Sequence, residues 1–322
     1  NYVLKGCIAY SEDKDELNTL DGYLICEDGF CKGVFEKLPS KYETYELLDY
    51  SNKLIIPGMI DLHIHSNYSD GELSVLQIIE LSKAQNLKSI AITDHYSLNA
   101  HFENNINDIE LVAGIELSVK IIDTSVHLIG LLFDINDLDL NKMIKRIHLM
   151  RYKNMINLRL ELNKNGVFTH NIPKNYRMSQ YIDELFKNNE NIPRKHLENM
   201  IYNSKYYKKY KEQIDIEPKE AIDLIHNAHG VVIIPHINMI PLEKRENIIR
   251  KLIKYGIDGI ETIYPTYSAD DKTYAKNICK KYNLLESGGS DFHGKLRKEN
   301  VIGFNSIPNI LLEKMKEKRN NA

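Results

Sequence analysis

Three things are scarce in this chain, and each scarcity excludes a class of protein. Cysteine occurs only at Cys7, Cys26, Cys31 and Cys279, too few and too scattered for the dense disulfide frameworks of small secreted domains. The four read as reduced thiols. Cys26 and Cys31 flank Glu27-Asp28-Gly29-Phe30, which reads as a hairpin tip, and no second Cys-x-x-Cys pair completes a zinc site. No apolar run approaches the roughly 18 residues that a membrane span needs. Residues 1–17 carry charges where a secretion signal would have its apolar stretch. The expectation is a cytoplasmic protein with no membrane partner. An excess of one charge is also missing, since 42 Lys+Arg against 45 Asp+Glu leave −3. No overall field would therefore hold a long nucleic acid in a stable complex, and any affinity for anions must be local.

What is present is a globular balance, 43% hydrophobic and 27% charged over 322 residues, enough for one large barrel or two modest domains. Residues 1–57 alternate short apolar strands with turn signals, at Tyr2-Val3-Leu4, 22–26, 33–35 and 46–50, and predict a small β-rich unit. From Leu54 onward strands alternate with helical periods, the mark of a parallel α/β architecture, so residues 58–322 form the second domain. Ser74 is placed to cap a helix, strands are expected at 89–93, 111–115, 126–133, 231–235, 259–263 and 284–285, and helices between the later ones at 218–227, 242–255 and 269–282. The alternation breaks at about 140–215, where 137–165, 181–187 and 194–203 read as helices without intervening strands, an inserted helical subdomain. There Lys205-Tyr206-Tyr207-Lys208-Lys209-Tyr210-Lys211 interleaves cations with aromatics. That composition suits a solvated helix end, or stacking and phosphate contact on single-stranded nucleic acid.

Chemistry enters with the positions of the histidines. His63 and His65 follow one apolar strand, His95 another, and His236 and His293 end two more. Carboxylates recur at corresponding places: Asp70, Asp94, Glu116 and Asp291. In an α/β barrel the C-terminal strand ends converge on one face, so residues distant in sequence meet there. Imidazoles and carboxylates together are ligands for borderline to hard divalent ions such as Zn, Mn or Fe. In His63-Ile64-His65, positions i and i+2 of a strand point the same way and both can clasp one ion. Asp291-Phe292-His293 repeats that spacing. A lone His-x-His is equally well explained by two satisfied histidines, whereas clusters at successive strand ends point to a site.

These residues resemble the PHP (polymerase and histidinol phosphatase) family of metal-dependent phosphoesterases. The matching segments are Asp61-Leu62-His63-Ile64-His65-Ser66 with Ser69-Asp70-Gly71, Ile92-Thr93-Asp94-His95, Gly114-Ile115-Glu116, His127-Leu128-Ile129-Gly130, Pro235-His236 and Gly288-Gly289-Ser290-Asp291-Phe292-His293-Gly294. The resemblance covers residues 54–300 and implies an α/β fold, a distorted (β/α)7 PHP barrel, with three divalent metals per chain. It implies that His63, His65, Glu116 and Asp291 hold one ion, Asp70, His95 and His293 a second, and Glu116, His127 and His236 a third. Asp94, beside a ligand, is then an orienting group.

Within the family the chain is most similar to the branch of nucleoside 3',5'-bisphosphate phosphatases and 5'-to-3' exoribonucleases. That likeness rests on Ile192-Pro193-Arg194-Lys195-His196-Leu197 and on Gly256-Ile257-Asp258-Gly259-Ile260-Glu261 with Tyr264-Pro265. It implies that Arg194 and His196 reach over the site, Arg194 to a non-reacting phosphate with help from Arg151. His196 is the expected proton donor to the leaving oxygen. Two departures stand out: Pro235-His236-Ile237 replaces the family's Ala-His-Pro, and Pro193 precedes Arg194 while Lys195 replaces a proline. The expected partner is a phosphorylated small molecule or short oligonucleotide, a 3',5'-bisphosphonucleotide or 5'-phosphorylated RNA, hydrolysed by water activated between metals. Histidinol phosphate is the alternative substrate, and amidohydrolase-type deamination of a nucleobase the alternative reaction.

Residues 53–65 also resemble the start of an amidohydrolase barrel, as in guanine deaminases, and the β-rich opening is similar to that family's small sandwich. Amidohydrolases have no use for Asp70, His95 and His293 as a set. Only 28 residues follow Gly294, too few to complete a sandwich. The expectation is an amidohydrolase-like front unit on a phosphoesterase barrel.

Overall fold

The four expected N-terminal strands are β1 (Tyr2–Tyr10), β2 (Asn18–Glu27), β3 (Phe30–Phe35) and β4 (Glu46–Ile55). They form one sheet in the order β3-β2-β1-β4, with β4 parallel to β1 and the other pairs antiparallel. Val3, Ile25 and Tyr42 are the buried core of this sheet. Cys26 and Cys31 are partners in register across β2 and β3, and all four cysteines are free thiols. This computed structural model describes residues 1–10, 18–27, 30–55, 58–103, 109–172, 178–212, 216–297 and 300–320, so the expected hairpin tip at Asp28-Gly29 lies outside the described residues. The chain divides into two compact units, Asn1–Gly58 and Met59–Ala322. Among the described residues no helix is long and apolar enough to cross a membrane.

The second unit runs β5 (Met59–Ile64), α1 (Val75–Ala84), β6 (Leu87–Ile92), β7 (Glu110–Ile121), β8 (Thr124–Leu131), then four helices α2 (Leu138–Lys164), α3 (Met178–Asn188), α4 (Arg194–Asn203) and α5 (Lys205–Glu212). It continues with α6 (Pro218–Asn227), β9 (Val231–Ile234), α7 (Leu242–Tyr255), β10 (Gly259–Ile263), α8 (Ala269–Tyr282), β11 (Leu285–Gly288), β12 (Ile307–Pro308) and α9 (Ile310–Asn320). Ser74 closes a capping box with Gln77 at the start of α1, satisfying two backbone donors that a helix start leaves open.

The sheet order is β11-β10-β9-β8-β7-β6-β5-β12, with the short β12 antiparallel to β5. Its two ends meet: Ile64 bridges to Phe292, and the His65 N–H donates to the Phe292 carbonyl at 2.9 Å. The seven strands β5 to β11 thus make the distorted barrel. Gly289 permits the closure, because a Cβ there would lie 2.6 Å from both the backbone nitrogen and the Cβ of His63. Asp61 ties the seam, its carboxylate accepting the N–H of Ser290 at 2.9 Å and of Gly303 at 3.1 Å.

The parallel reading fails at one strand. β8 is antiparallel to both β7 and β9. Only Ile122 and Asp123 separate it from β7, both left-handed with φ of 47° and 54°. Two such residues make a hairpin turn, whereas a parallel return needs a dozen or more.

Helices α2 to α5 share a core of their own, including Leu158, Leu162, Tyr181, Leu185, Leu197 and Ile201. The tyrosines of α5 pack half-buried against it, so their rings are committed to the insertion and not to a stacking platform. At the other end of the barrel Leu312 and Met315 of α9 join Ile60, Leu62, Val112 and Val231 in one buried cluster. Burial of each such side chain contributes about 1.5–3 kcal/mol. Helix α9 therefore covers the N-terminal barrel end, and the C-terminal end is left for chemistry.

Candidate metal centre

Each strand delivers its donors to that C-terminal end. His63 lies in β5 and His65 directly after it, Asp70 in the following turn, His95 after β6, Glu116 in β7, His236 after β9, and Asp291 and His293 after β11. His127 arrives differently. Because β8 is antiparallel, its early residue His127 pairs with Ser118 of β7 and so lies at the same barrel end.

All nine expected donors meet. Glu116 is at the centre: its Oε2 lies 3.6 Å from His63 Nε2, 3.1 Å from His65 Nε2 and 3.5 Å from His95 Nε2. Its Oε1 lies 2.8 Å from His127 Nδ1 and 2.9 Å from His236 Nε2. Asp291 Oδ1 stands 3.3 Å from His63 Nε2 and 3.4 Å from His65 Nε2. Asp70 Oδ2 stands 3.3 Å from His293 Nε2 and 3.8 Å from His95 Nε2. Asp291 and His236 hold this arrangement from left-handed backbone, with φ of 48° and 29°. For residues other than glycine that costs of order 1–3 kcal/mol and is concentrated at functional sites.

The donor chemistry fits metal ions. His63, His65 and His293 each carry a buried Nε2 with no hydrogen-bond partner, and donors about 2.0–2.3 Å from a shared ion are separated from one another by spacings of this kind. Several triplets, among them His63-His65-Glu116 and His65-Asp70-His95, have donor atoms within 4.8 Å of one another.

The charges balance locally. Burial works against charge on His63, but the carboxylates of Asp291, Glu261 and Glu116 outweigh it and hold the ring well above its ordinary range. His65 is likewise pulled up, against burial, to about 10 by Asp70 and Glu116. His95 goes the other way, to about 3, because burial prevails. Glu116 is held well below the usual carboxylate range, against burial, by His127, His95 and His63.

Around the donors lies a set of orienting groups. Asp94 is fully buried and accepts the Ser66 N–H at 2.8 Å, the Ser66 hydroxyl at 2.5 Å and the Ser69 hydroxyl at 2.5 Å. It pins the turn that carries Asp70. Sequence reasoning assigned no role to three other residues. Glu261 lies 3.1 Å from His63 Nδ1 and accepts the His236 N–H at 2.7 Å, so it fixes which ring nitrogen of His63 faces the centre. The Tyr264 hydroxyl donates to Asp291 Oδ2 at 2.8 Å, and Arg297 pairs with that same oxygen. Glu261 is the middle residue of β10, five strands along the sheet from the β5 that carries His63.

The expected substrate residues are in two places. Arg151, on α2, holds its guanidinium 4.5 Å over the ring of Tyr96 and 5.7 Å from that of Tyr210. Tyr96 directly follows His95 in the chain, and its fully buried ring lies in the hydrophobic core. Arg194 and His196 lie in the first turn of α4 and are exposed. Arg194 pairs with Glu198 at 3.0 Å and lies 4.1 Å over Phe186.

Comparison with known proteins bears on this architecture. The chain is 28% identical over 262 residues to a 5'-3' exoribonuclease of Haemophilus influenzae, spanning 72% of this chain and 89% of that protein. It is 25% identical over 260 residues to a 3',5'-nucleoside bisphosphate phosphatase of Chromobacterium violaceum, spanning 73% and 87%. A solved metal-dependent phosphoesterase structure from Bifidobacterium adolescentis shares the fold with a TM-score of 0.62 at 22% identity, covering 80% of this chain and 94% of that one. The PHP domain profile matches residues 61–255, more than half of the chain and most of the donors, and the chain therefore belongs to the PHP domain family.

Proposed function

We propose that this metal-dependent phosphoester hydrolase acts on the phosphate of a nucleotide, either a 3',5'-bisphosphonucleotide or a short RNA with a 5'-phosphate. The observation that carries the reading is the meeting of the nine donors at one barrel end, with Glu116 at their centre. We assign His63, His65, Glu116 and Asp291 to one ion, Asp70, His95 and His293 to a second, and Glu116, His127 and His236 to a third. Three divalent ions against the carboxylates of Asp70, Glu116 and Asp291 leave a positive cavity, which favours a phosphate over a neutral heterocycle. Bound ions of this kind supply Lewis acidity toward phosphoryl oxygens and a water of lowered pKa.

The chain's own residues do the rest. Asp94 and Glu261 hold the turn of Asp70 and the ring of His63 in place. Arg151, its orientation set by Tyr96, receives the non-reacting phosphate as a planar fork of donors. Arg194 joins it from α4. Its pair with Glu198 is exposed, a contact worth only about 0.3–0.5 kcal/mol, so a phosphate can displace it. His196, in the same first turn of α4, gives the proton that the leaving oxygen needs.

The test is phosphate release by metal-quantified protein from a 3',5'-bisphosphonucleotide, a 5'-phosphorylated RNA trimer and histidinol phosphate, with ammonia release from guanine as control. Release from either of the first two, with manganese, zinc or iron restoring it after chelation, is the expected result. Turnover of histidinol phosphate alone overturns the substrate assignment. Ammonia release alone overturns the reaction.

A further inference from the structure

Strand β7 outruns its neighbour. The last residue of β6 to pair with it is Ile92, opposite Ala113, yet β7 continues to Ile121 and carries Glu116 in the stretch beyond. Backbone groups along that stretch still need partners on the side that β6 has left. The chain after β6 supplies them. His95 bridges to Glu116, and the Tyr96 N–H donates to the Glu116 carbonyl at 3.3 Å. The Tyr96 hydroxyl then takes both backbone groups of Ser118, donating to its carbonyl at 3.0 Å and accepting its N–H at 2.9 Å. One side chain stands where a strand would. Ser118 lies opposite His127 in the register of β7 with β8. Tyr96 thus follows His95, bonds the backbone of Glu116 and holds the residue across from His127.

Tyr96 is itself held in an unusual conformation. It is fully buried with φ of 53°, which a bulky residue adopts only where its surroundings impose it. Two contacts from α2 hold it there. His148 Nε2 lies 2.8 Å from the Tyr96 carbonyl, and because a carbonyl only accepts, the ring carries its proton on that nitrogen. Arg151, three residues further along α2, has its guanidinium 4.5 Å over the ring. The first helix of the insertion therefore braces the residue after His95.

We propose that Tyr96 is a positioning residue that sets His95, Glu116 and His127 against one another, with His148 bracing it from the insertion. The proposal rests on the metal assignments above and deepens them, since it makes the helical insertion a support of the centre. Of the donors assigned to the first ion, His63, His65 and Asp291 lie on segments that Tyr96 does not bond. The ions assigned to His95 and to His127 are the ones that depend on it.

The experiment measures manganese uptake by ion-free protein, as ions retained per chain against chelators of graded strength, in wild type and in Tyr96→Phe, His148→Leu and His148→Gln. Tyr96→Phe and His148→Leu are expected to weaken the ions assigned to His95 and His127 about 10- to 100-fold, while the ion assigned to His63, His65 and Asp291 keeps its affinity. Glutamine offers an amide N–H to the Tyr96 carbonyl, so His148→Gln should restore wild-type uptake. A merely structural tyrosine would weaken every ion alike through loss of fold, which the melting temperature of ion-free protein reports. Unchanged uptake in Tyr96→Phe and His148→Leu, equal weakening of every ion, or a His148→Gln variant as weak as His148→Leu overturns the proposal. If Tyr96→Phe does not fold, the two His148 variants decide. Uptake is read without turnover, so a wild type that binds ions and hydrolyses no nucleotide sinks the assigned substrate and leaves the positioning role standing. Nucleotide hydrolysis with every ion weakened alike in the variants does the reverse, and a wild type that takes up no ion overturns both.

Discussion

Loading the centre with metal should expel protons, and the number follows from its geometry. In the ion-free protein His63 and His65 sit between carboxylates that hold both rings protonated at neutral pH, His65 up to about 10. A metal ion takes only the neutral ring. An ion entering between His63, His65, Glu116 and Asp291 must therefore displace two protons. Through the His65 proton its apparent affinity should rise about tenfold per pH unit between pH 7 and 9, about 1.4 kcal/mol per unit, and more steeply wherever the His63 ring is still charged. His95, already neutral because its pKa is near 3, releases none. The same shifts fix the stability of the ion-free protein. A histidine raised from 6.5 to about 10 stabilises fully below pH about 6.5, and that contribution is lost as pH rises through 10. For His65 the upper bound is about 5 kcal/mol. Glu116, lowered in the folded state, contributes above pH about 4 and loses that contribution in acid. Calorimetric titration of chelated protein in buffers of different ionisation enthalpy counts the protons, and chelator competition at pH 7, 8 and 9 gives the slope. An affinity flat with pH, or fewer than one proton per first ion, refutes the reasoning. So would ion-free protein that melts no earlier at pH 10 than at pH 7.

Four further outcomes follow from named contacts. Glu261→Gln keeps an acceptor near His63 but removes the charge that favours its metal-binding orientation, so metal affinity should fall about 10- to 100-fold with the melting temperature of ion-free protein nearly kept; bound metal per chain after dialysis reads this. Asp94→Ala strands the Ser66 N–H and two hydroxyls in a buried turn, at about 1–3 kcal/mol for each group left unsatisfied. Denaturant titration should show the loss, and a stability within error of wild type would contradict it. Gly289→Ala sets a Cβ against the His63 backbone, so the β5–β11 seam must part, costing about 1–3 kcal/mol or more and reducing metal content together with stability. Arg297→Ala removes the cation that competes for Asp291 Oδ2; the first ion should bind about fivefold tighter, the size of a partly exposed pair, and weaker binding would show that Arg297 positions Asp291.

What could be read from the sequence, and what could not, divides along physical lines. His63 with His65 was legible because a strand's two-residue period forces such a pair to one side, and the barrel rule says which end it shares; Asp291 and His293 reach that end from beyond β11, through the left-handed turn at Asp291. The helices Pro218–Asn227, Leu242–Tyr255 and Ala269–Tyr282 fall where their apolar periods put them. The reversal of β8 was hidden because its turn is Ile122-Asp123, without the Asn-Gly or Asp-Gly pair that announces a hairpin. A β-branched isoleucine at positive φ is a conformation that only the surrounding sheet can impose.

The missed role of Glu261 has a different origin. Its partner His63 is 198 positions away, and no local pattern marks a carboxylate as serving a histidine on another strand. The same holds for Arg297, whose pairing with Asp291 depends on how the chain turns after the last barrel strand. Donors that must converge on an ion are constrained by strand geometry and so leave a periodic trace, whereas the groups that orient them need only reach. A long side chain can approach from many backbone positions, which makes its partner invisible until the fold is known. The segment 205–211 lies between these cases. Its tyrosines fall at i, i+1 and i+4, a helical period that commits them to one face. That spacing already separates rings from lysines, and only the insertion's core decides which face turns to water.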